Sequence, residues 1–193
     1  MKIILIRHSK TYGNTLKRYI GVTDEPLCEE GIRLLKERCY PKADILFTSP
    51  LKRCIMTAQI IYPDMEYEII DDLKECNFGE FENKNYKELS GNENYQKWID
   101  SNGMMPFPGG EAHEDFTKRC IKGYEKAIAI AQNKGFANLA IVAHGGTIMS
   151  IMEKLLSSED FYKYHPENAE GFSYEIDEKG KIISEISPVG VKG

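Results

Sequence analysis

The sequence predicts an α/β fold, a three-layer sandwich whose mostly parallel central sheet carries helices on both faces and a small helical cap insertion. Three observations carry this expectation. The runs Lys2 to Ile6, Ala43 to Ser49 ("ADILFTS") and Leu139 to His144 ("LAIVAH") are apolar and rich in β-branched residues, as strands covered on both faces are. Stretches of helical apolar spacing lie between them, and strands alternating with helices build open sheets with a helical layer on each side. One segment, Phe81 to Pro108, breaks the alternation: it is polar, rich in Asn and Glu, and holds the single tryptophan, Trp98.

The elements follow in order. After the first strand, Glu29 to Cys39 places Ile32, Leu35 and Cys39 at helical spacing. The second strand leads to Leu51 to Ile61, where Leu51, Ile55, Ala58 and Ile61 share a face. "YEII" (Tyr67 to Ile70) is a shorter strand, and the cap insertion follows at about 81–108. Glu111 to Asn133 carries Phe116, Cys120, Tyr124, Ile128 and Ala131, an amphipathic helix of several turns. Beyond the third buried strand, "FSYEID" (Phe172 to Asp177) and "KIISEIS" (Lys181 to Ser187) are separated by "EKG" and read as a terminal hairpin. No internal repeat, low-complexity tract or long linker divides the chain, so a single domain over 1–193 is expected, able to bury roughly 70% of its unfolded surface.

Charge and composition exclude several classes. A net charge of −5 repels a polyanion, and no Lys/Arg run is dense enough to make a stripe for nucleic acid. An anionic ligand therefore requires a local cation cluster. The apolar run in "MKIILIRHSK" is too short for a secretory signal and no stretch approaches a membrane span, so a cytoplasmic protein without a membrane partner is expected. Cys28, Cys39, Cys54, Cys76 and Cys120 are odd in number and form no C-x-x-C pair, which suits reduced thiols rather than disulfides or a zinc site.

The three apolar strands end in similar punctuation. "LI" runs into Arg7-His8, "LFTSPL" leads to Arg53, and "AIVA" runs into His144-Gly145-Gly146. Ligands of open α/β sheets sit outside the carboxyl ends of the strands, so these ends converge on one pocket. Two arginines and two histidines brought together suit a phosphoryl dianion, because guanidinium forks match its oxygens and helix starts add N–H donors.

In these residues the chain resembles the histidine phosphatase superfamily, the phosphoglycerate-mutase-like family. "RHSKTYGN" looks like its signature, and "YIGVTDEPLCEEG", "TSPLKRCIMTAQ", "LKECNFGEFE" and "AIVAHGG" match further segments in order across most of the chain. The resemblance implies that His8 is the nucleophile that becomes a phosphohistidine. It implies that Arg7, Arg53 and His144 hold the nonbridging oxygens, with His144 counted among the catalytic residues beside Glu75, the general acid and then base. Asn14 adds a side-chain donor, Gly145 lets backbone approach the phosphate, and Gly21 and Thr23 line the substrate entrance. Neither a metal nor a cofactor is needed, and the expected partner is a small phosphomonoester.

Two departures from the family pattern stand out. Ser9 replaces the usual glycine, with an N–H and a hydroxyl that reach toward a phosphate; Asn83 follows Glu82 where a glycine often closes the acidic loop. Outside the matching segments, His113 and His165 read as surface residues, Tyr95 and Trp98 as an i, i+3 pair packing the cap, and Lys10 and Arg18 as solvated charges or anion-steering ones.

A short cap and a short tail, "PVGVKG", favour water as phosphoryl acceptor, since a mutase must shield its phosphohistidine. A phosphatase is therefore expected, most like the α-ribazole phosphatases in its compact size, its "YQKW" and its "PFPGGEAHEDFTKR", with α-ribazole 5′-phosphate as a candidate substrate. The rivals are a cofactor-dependent phosphoglycerate mutase and a phospho-ligand binding module with little turnover.

Overall fold

A computed structural model describes residues 1–157 and 160–191. Six strands form one sheet: β1 (Lys2–Arg7), β2 (Ile45–Thr48), β3 (Glu68–Ile69), β4 (Asn138–Ala143), β5 (Gly171–Glu175) and β6 (Ser187–Val189). Their order is β3-β2-β4-β1-β5-β6, parallel from β3 to β1 and antiparallel where β5 and β6 close one edge. The described helices are α1 (Tyr12–Thr15), α2 (Glu29–Lys36), α3 (Lys52–Ile61), α4 (Glu93–Asp100), α5 (His113–Asn133) and α6 (Gly145–Leu156).

Alternation along the buried strands builds the two outer layers. Ile3, Leu5, Phe47, Leu139 and Ile141 pack with Phe116, Tyr124, Ile148 and Ile151 of α5 and α6. Ile4, Ile6, Leu46, Ala140 and Val142 pack instead with Cys54, Ala58 and Tyr62 around α3. Each such side chain contributes about 1.5–3 kcal/mol when buried, so two apolar faces outweigh the modest intrinsic preference of four- to six-residue strands. This is the expected three-layer α/β sandwich. Glu29 and Glu30 in the first turn of α2, with Arg33 and Lys36 in its last, follow the helix dipole.

Boundaries and edges differ from the sequence expectation. The helix expected to reach Cys39 stops at Lys36, the one expected from Glu111 starts at His113, and "YEII" pairs only at Glu68 and Ile69. The terminal hairpin is shorter than expected: its backbone ladder is one antiparallel bridge, Ile176 to Ile182, with the Asp177 N–H on the Lys181 carbonyl and the Ile183 N–H on the Glu175 carbonyl, and the strand partner of β5 is Ser187–Val189. Ser184 supplies the reason, because its Oγ accepts the Glu175 N–H that a strand ladder would use. Pro188 is tolerated in β6 because an edge strand has one side without a ladder. The last two residues of the expected tail, Lys192 and Gly193, lie outside the described residues.

In the segment 81–108, α4 is capped by the Asn92 side chain, which accepts the Tyr95 N–H. Phe81, Leu89 and Trp98 form a small separate core with Tyr19, Phe78, Tyr95 and Phe107 around it. Asn83 takes the left-handed conformation (φ 56°), which asparagine adopts more readily than other non-glycine residues. No described helix is long and apolar enough to cross a membrane.

Candidate active site

Parallel register delivers the first part of the site. Arg7 lies opposite Ala143, so the next residues, His8 and His144, leave their strands side by side; the His8 N–H donates to the Ala143 carbonyl at 2.9 Å, and the two rings are 5.1 Å apart. Thr48 pairs with Val142 one strand over, which brings Ser49 to the same edge. A cavity of about 310 Å³ opens there, with Arg7, His8, Asn14, Glu75 and Gly145 in its wall.

His8 is held as a neutral ring of defined tautomer. Its Nδ1 lies 2.7 Å from the Ser9 carbonyl, which only accepts, so Nδ1 carries the hydrogen and Nε2 keeps its lone pair. Burial, followed by the Arg53 and Arg7 charges, drives its pKa well below the ordinary histidine value. A neutral imidazole with a free Nε2 is the form that attacks an electrophile.

Glu75 has the opposite character. Burial pushes its carboxyl pKa up, against the pull of N–H groups from Cys76 on Oε1 and Gly146 on Oε2, each 3.0 Å away. Gly146 permits that approach, since a Cβ there would lie 2.5 Å from Oε1. A carboxyl group whose pKa is raised, in the same cavity as a neutral imidazole, can donate a proton to a leaving group.

The donors at the other end are Arg7 and Asn14. Arg7 Nη1 donates to the Pro166 carbonyl at 2.8 Å and lies 3.4 Å from His165 Nε2. Its guanidinium lies against Gly145, where a Cβ would stand 3.3 Å from Cζ. Among the described residues nothing bonds Nη2, which remains for a ligand, and the buried Nε is also without a hydrogen-bond partner. Asn14 belongs to a capping box with Thr11, in which its Oδ1 accepts the Thr11 N–H. Asn168 Nδ2 lies 3.3 Å from the same oxygen, so Asn14 Nδ2 is left as the free donor.

Other expected site residues sit behind the cavity wall. Arg53 is fully buried, with Nε donating to His144 Nδ1 at 3.2 Å, Nη1 to the Thr23 carbonyl and Nη2 to those of Ile20 and Gly21. His144 Nδ1 therefore accepts, and its Nε2 meets Ser49 Oγ at 2.7 Å, so both ring nitrogens are engaged by protein. Burial, then Arg53 and the His8 ring, hold His144 neutral, where the resemblance implied a ring that helps to hold the nonbridging oxygens. Ser9 is a correction: its N–H bonds Thr57 Oγ1 and its hydroxyl bonds the Gly31 carbonyl, so neither is aimed at the cavity. Gly21 and Thr23 also leave the entrance. Their N–H groups and the Thr23 hydroxyl converge on Glu82 Oε1, and a Cβ on Gly21 would meet the Cys76 carbonyl at 1.9 Å.

The cavity contains residues that sequence reasoning placed elsewhere. His113 and His165 both line it, as do Trp98 and Arg18. His113 packs edge-on against Phe161 and faces Glu153 at 3.8 Å. Tyr95 stacks on Trp98 as cap packing predicts. Arg18 pairs with Glu88 at 2.8 Å, and Lys10 is tied to Glu30 at 2.6 Å outside the cavity. Their place in the cavity was not legible locally, since the loop closures that bring His113 and His165 in act over 100 residues or more from His8. Among the described residues, no three His, Cys, Asp or Glu side chains come together to hold a metal ion.

These protonation states make stability pH-dependent. His8 and His144 have folded pKa values depressed below 6.5, so the stability that goes with their neutral burial is present above that pH and lost as pH falls below it. Each proton the unfolded chain takes up in excess costs about 1.4 kcal/mol per pH unit. Glu75, with its pKa raised above 4.5, works in the opposite sense as pH rises through its folded pKa. Two histidines outweigh one carboxyl, so the urea midpoint should fall between pH 6.5 and 5, and His144→Gln should flatten that fall. A midpoint that stays level or rises on acidification would show that the folded protein takes up protons over this range at least as readily as the unfolded chain, and would overturn the neutral burial of the two rings.

The family model of the histidine phosphatase superfamily (branch 1) matches residues 3–187, and the chain belongs to that superfamily. Its relatives carry several activities. The phosphoglycerate mutase of Schizosaccharomyces pombe is 30% identical over 94% of this chain and 93% of that protein. The solved phosphoserine phosphatase of Entamoeba histolytica in complex with 3-phosphoglyceric acid is 28% identical, with a TM-score of 0.79 over 99% of this chain and 98% of the other. The α-ribazole phosphatase of Shigella flexneri superimposes with a TM-score of 0.80 over 100% and 97% of the two chains; at 24% identity that likeness is one of fold.

Proposed function

We propose that this protein hydrolyses a small phosphomonoester through a phosphohistidine on His8. The observation that carries the reading is the His8 Nδ1 to Ser9 carbonyl bond, 2.7 Å long, which leaves Nε2 as an unprotonated nucleophile in the same cavity as the Glu75 carboxyl. In the first step Nε2 bonds phosphorus, the P–O bond to the alcohol breaks, and the departing oxygen takes the Glu75 proton. In the second, the Glu75 carboxylate removes a proton from water, the water oxygen bonds phosphorus, and the P–N bond breaks. Both groups end as they began.

Arg7 and Asn14 bind the phosphoryl oxygens through Nη2 and Nδ2, with Gly145 under the guanidinium. Arg53 and His144 act from behind, as a fixed charge and a buried neighbour of the His8 ring. Monoester hydrolysis needs accelerations of up to ~10²¹, which preorganised donors around a transferring phosphoryl group help to supply. The chain is read as one domain, with residues 81–108 as its cap.

Beyond the phosphate end, the wall is aromatic. Tyr19, Phe78, Trp98, Phe107, Phe161 and Tyr162 line it, and its further cation, Arg18, is paired with Glu88. This favours an ester whose alcohol carries an uncharged planar group, such as α-ribazole 5′-phosphate, over a phosphoglycerate with its second anion. Water rather than a second phosphoglycerate is then the acceptor.

The test is phosphate release by wild type and His8→Ala from a panel that includes α-ribazole 5′-phosphate, phosphoserine and 3-phosphoglycerate. His8-dependent release, fastest with the aromatic ester, is expected. Transfer between phosphoglycerates without net release would make the protein a mutase, and neither release nor transfer would leave a binding module.

A further inference from the structure

The segment His165 to Ala169, which leads into β5, lies outside every motif that carries the chemistry, yet it touches three residues of the phosphate end. The Pro166 carbonyl and His165 Nε2 face Arg7 Nη1. Asn168 Nδ2 donates to the His8 carbonyl at 3.1 Å and lies 3.3 Å from Asn14 Oδ1. The Ala169 N–H donates to the same His8 carbonyl at 3.2 Å.

The segment is fastened from behind. Ala169 holds a left-handed conformation (φ 65°) that costs an alanine roughly 1–2 kcal/mol and persists only where neighbours impose it. Those neighbours are present: Tyr40 Oη donates to the Ala169 carbonyl at 2.8 Å, Arg38 pairs with Glu170 at 2.8 Å, and the Arg7 N–H donates to the Glu170 carbonyl at 2.8 Å. Asn168 therefore approaches the site from a fixed base, and the residue is nine-tenths buried.

We propose that Asn168 is a positioning residue for the phosphoryl site. One primary amide supplies two hydrogens to two acceptors, the His8 carbonyl and Asn14 Oδ1, and so ties the nucleophile's backbone to the Asn14 amide. Occupying Asn14 Oδ1 turns Asn14 Nδ2 toward the oxygens of a bound phosphate. Aspartate, the same size, offers only acceptors to two acceptors and adds a negative charge beside a dianion's seat. The inference rests on the phosphohydrolase reading for its kinetic consequence, but not for its effect on phosphate affinity.

Wild type, Asn168→Ala, Asn168→Asp, Asn14→Ala and the double variant Asn14→Ala/Asn168→Ala are compared in two assays. These are kcat/KM for an aryl phosphate and the affinity for inorganic phosphate by calorimetry, with thermal unfolding as the control for folding. Small misplacements of reacting groups cost about 10- to 100-fold, so a loss of that size is expected for Asn168→Ala and a larger one for Asn168→Asp, with phosphate affinity down at least about fivefold. The double variant should lose far less than the product of the single losses, because one residue acts through the other. Losses that multiply, or Asn168 variants within about twofold of wild type in both assays, overturn the proposal. If Asn168→Ala does not fold, Asn168→Asp carries the test. A wild type that binds phosphate but hydrolyses no ester sinks the hydrolase reading while the affinity series still decides the role of Asn168; a wild type that does not bind phosphate overturns both.

Discussion

Replacing His8 with alanine should lower phosphate release by at least about 10⁴-fold, since removing a nucleophile leaves only the contribution of binding and electrostatics. The same substitution should abolish labelling of the protein by a phosphoryl-labelled substrate, measured as acid-labile counts after rapid quenching. The protein should stay folded. The His8 side chain makes a single hydrogen bond, to the neighbouring Ser9 carbonyl, and its loss opens space contiguous with an existing cavity rather than a sealed void. Stoichiometric acid-labile label on the alanine variant would assign the nucleophile elsewhere. His165 and His113, the other imidazoles in the cavity wall, would be the next to test.

The second large effect concerns Glu75. In Glu75→Gln the side chain keeps its size but has no proton to transfer. It also presents an NH₂ to one of the two N–H groups, of Cys76 and Gly146, that the carboxylate now accepts. General acid catalysis is worth about 10²–10⁴-fold where the leaving group needs a proton. Alkyl phosphates should therefore lose that much in the first step. Aryl phosphates, whose phenolates depart unassisted, should keep a fast first step followed by slow hydrolysis of phospho-His8, visible as a burst of phenol close to one per active site. Equal losses on both ester types would remove Glu75 from the acid role and leave Glu80 or Glu82 as alternatives, although Glu82 is already committed to Gly21 and Thr23.

The layers of the fold were legible because they rest on local pattern. Ile3 to Ile6 and Leu139 to Ala143 are wholly buried, and a strand covered on both faces can be read from its continuous apolar run. The edges were less legible. Lys181 to Ser187 has the alternation of a strand, but the Ser184 hydroxyl takes the bond that a second arm would make, and the short "SPV" segment does the pairing instead. At the site, Arg7, His8, Asn14, Glu75 and Gly145 were picked out by motif and line one cavity. Ser9, Gly21 and Thr23 were picked out by the same means and do not. Their donors are taken by Thr57, Gly31 and Glu82, the last some sixty residues away, and a motif does not record such partners.

The class of fold, the strand ends that carry the chemistry and the membership that those segments express can all be read from the chain. Each depends on residues close together in the chain, where period and spacing act directly. The packing of distant elements alone shows which nitrogen of His8 is free, that His144 and Arg53 face each other behind the cavity, that His113 and His165 line it, and that Asn168 reaches the His8 carbonyl and Asn14. A side chain's tautomer, charge and aim follow from the donors, acceptors and burial that packing brings to it, and those come from elements distant in sequence.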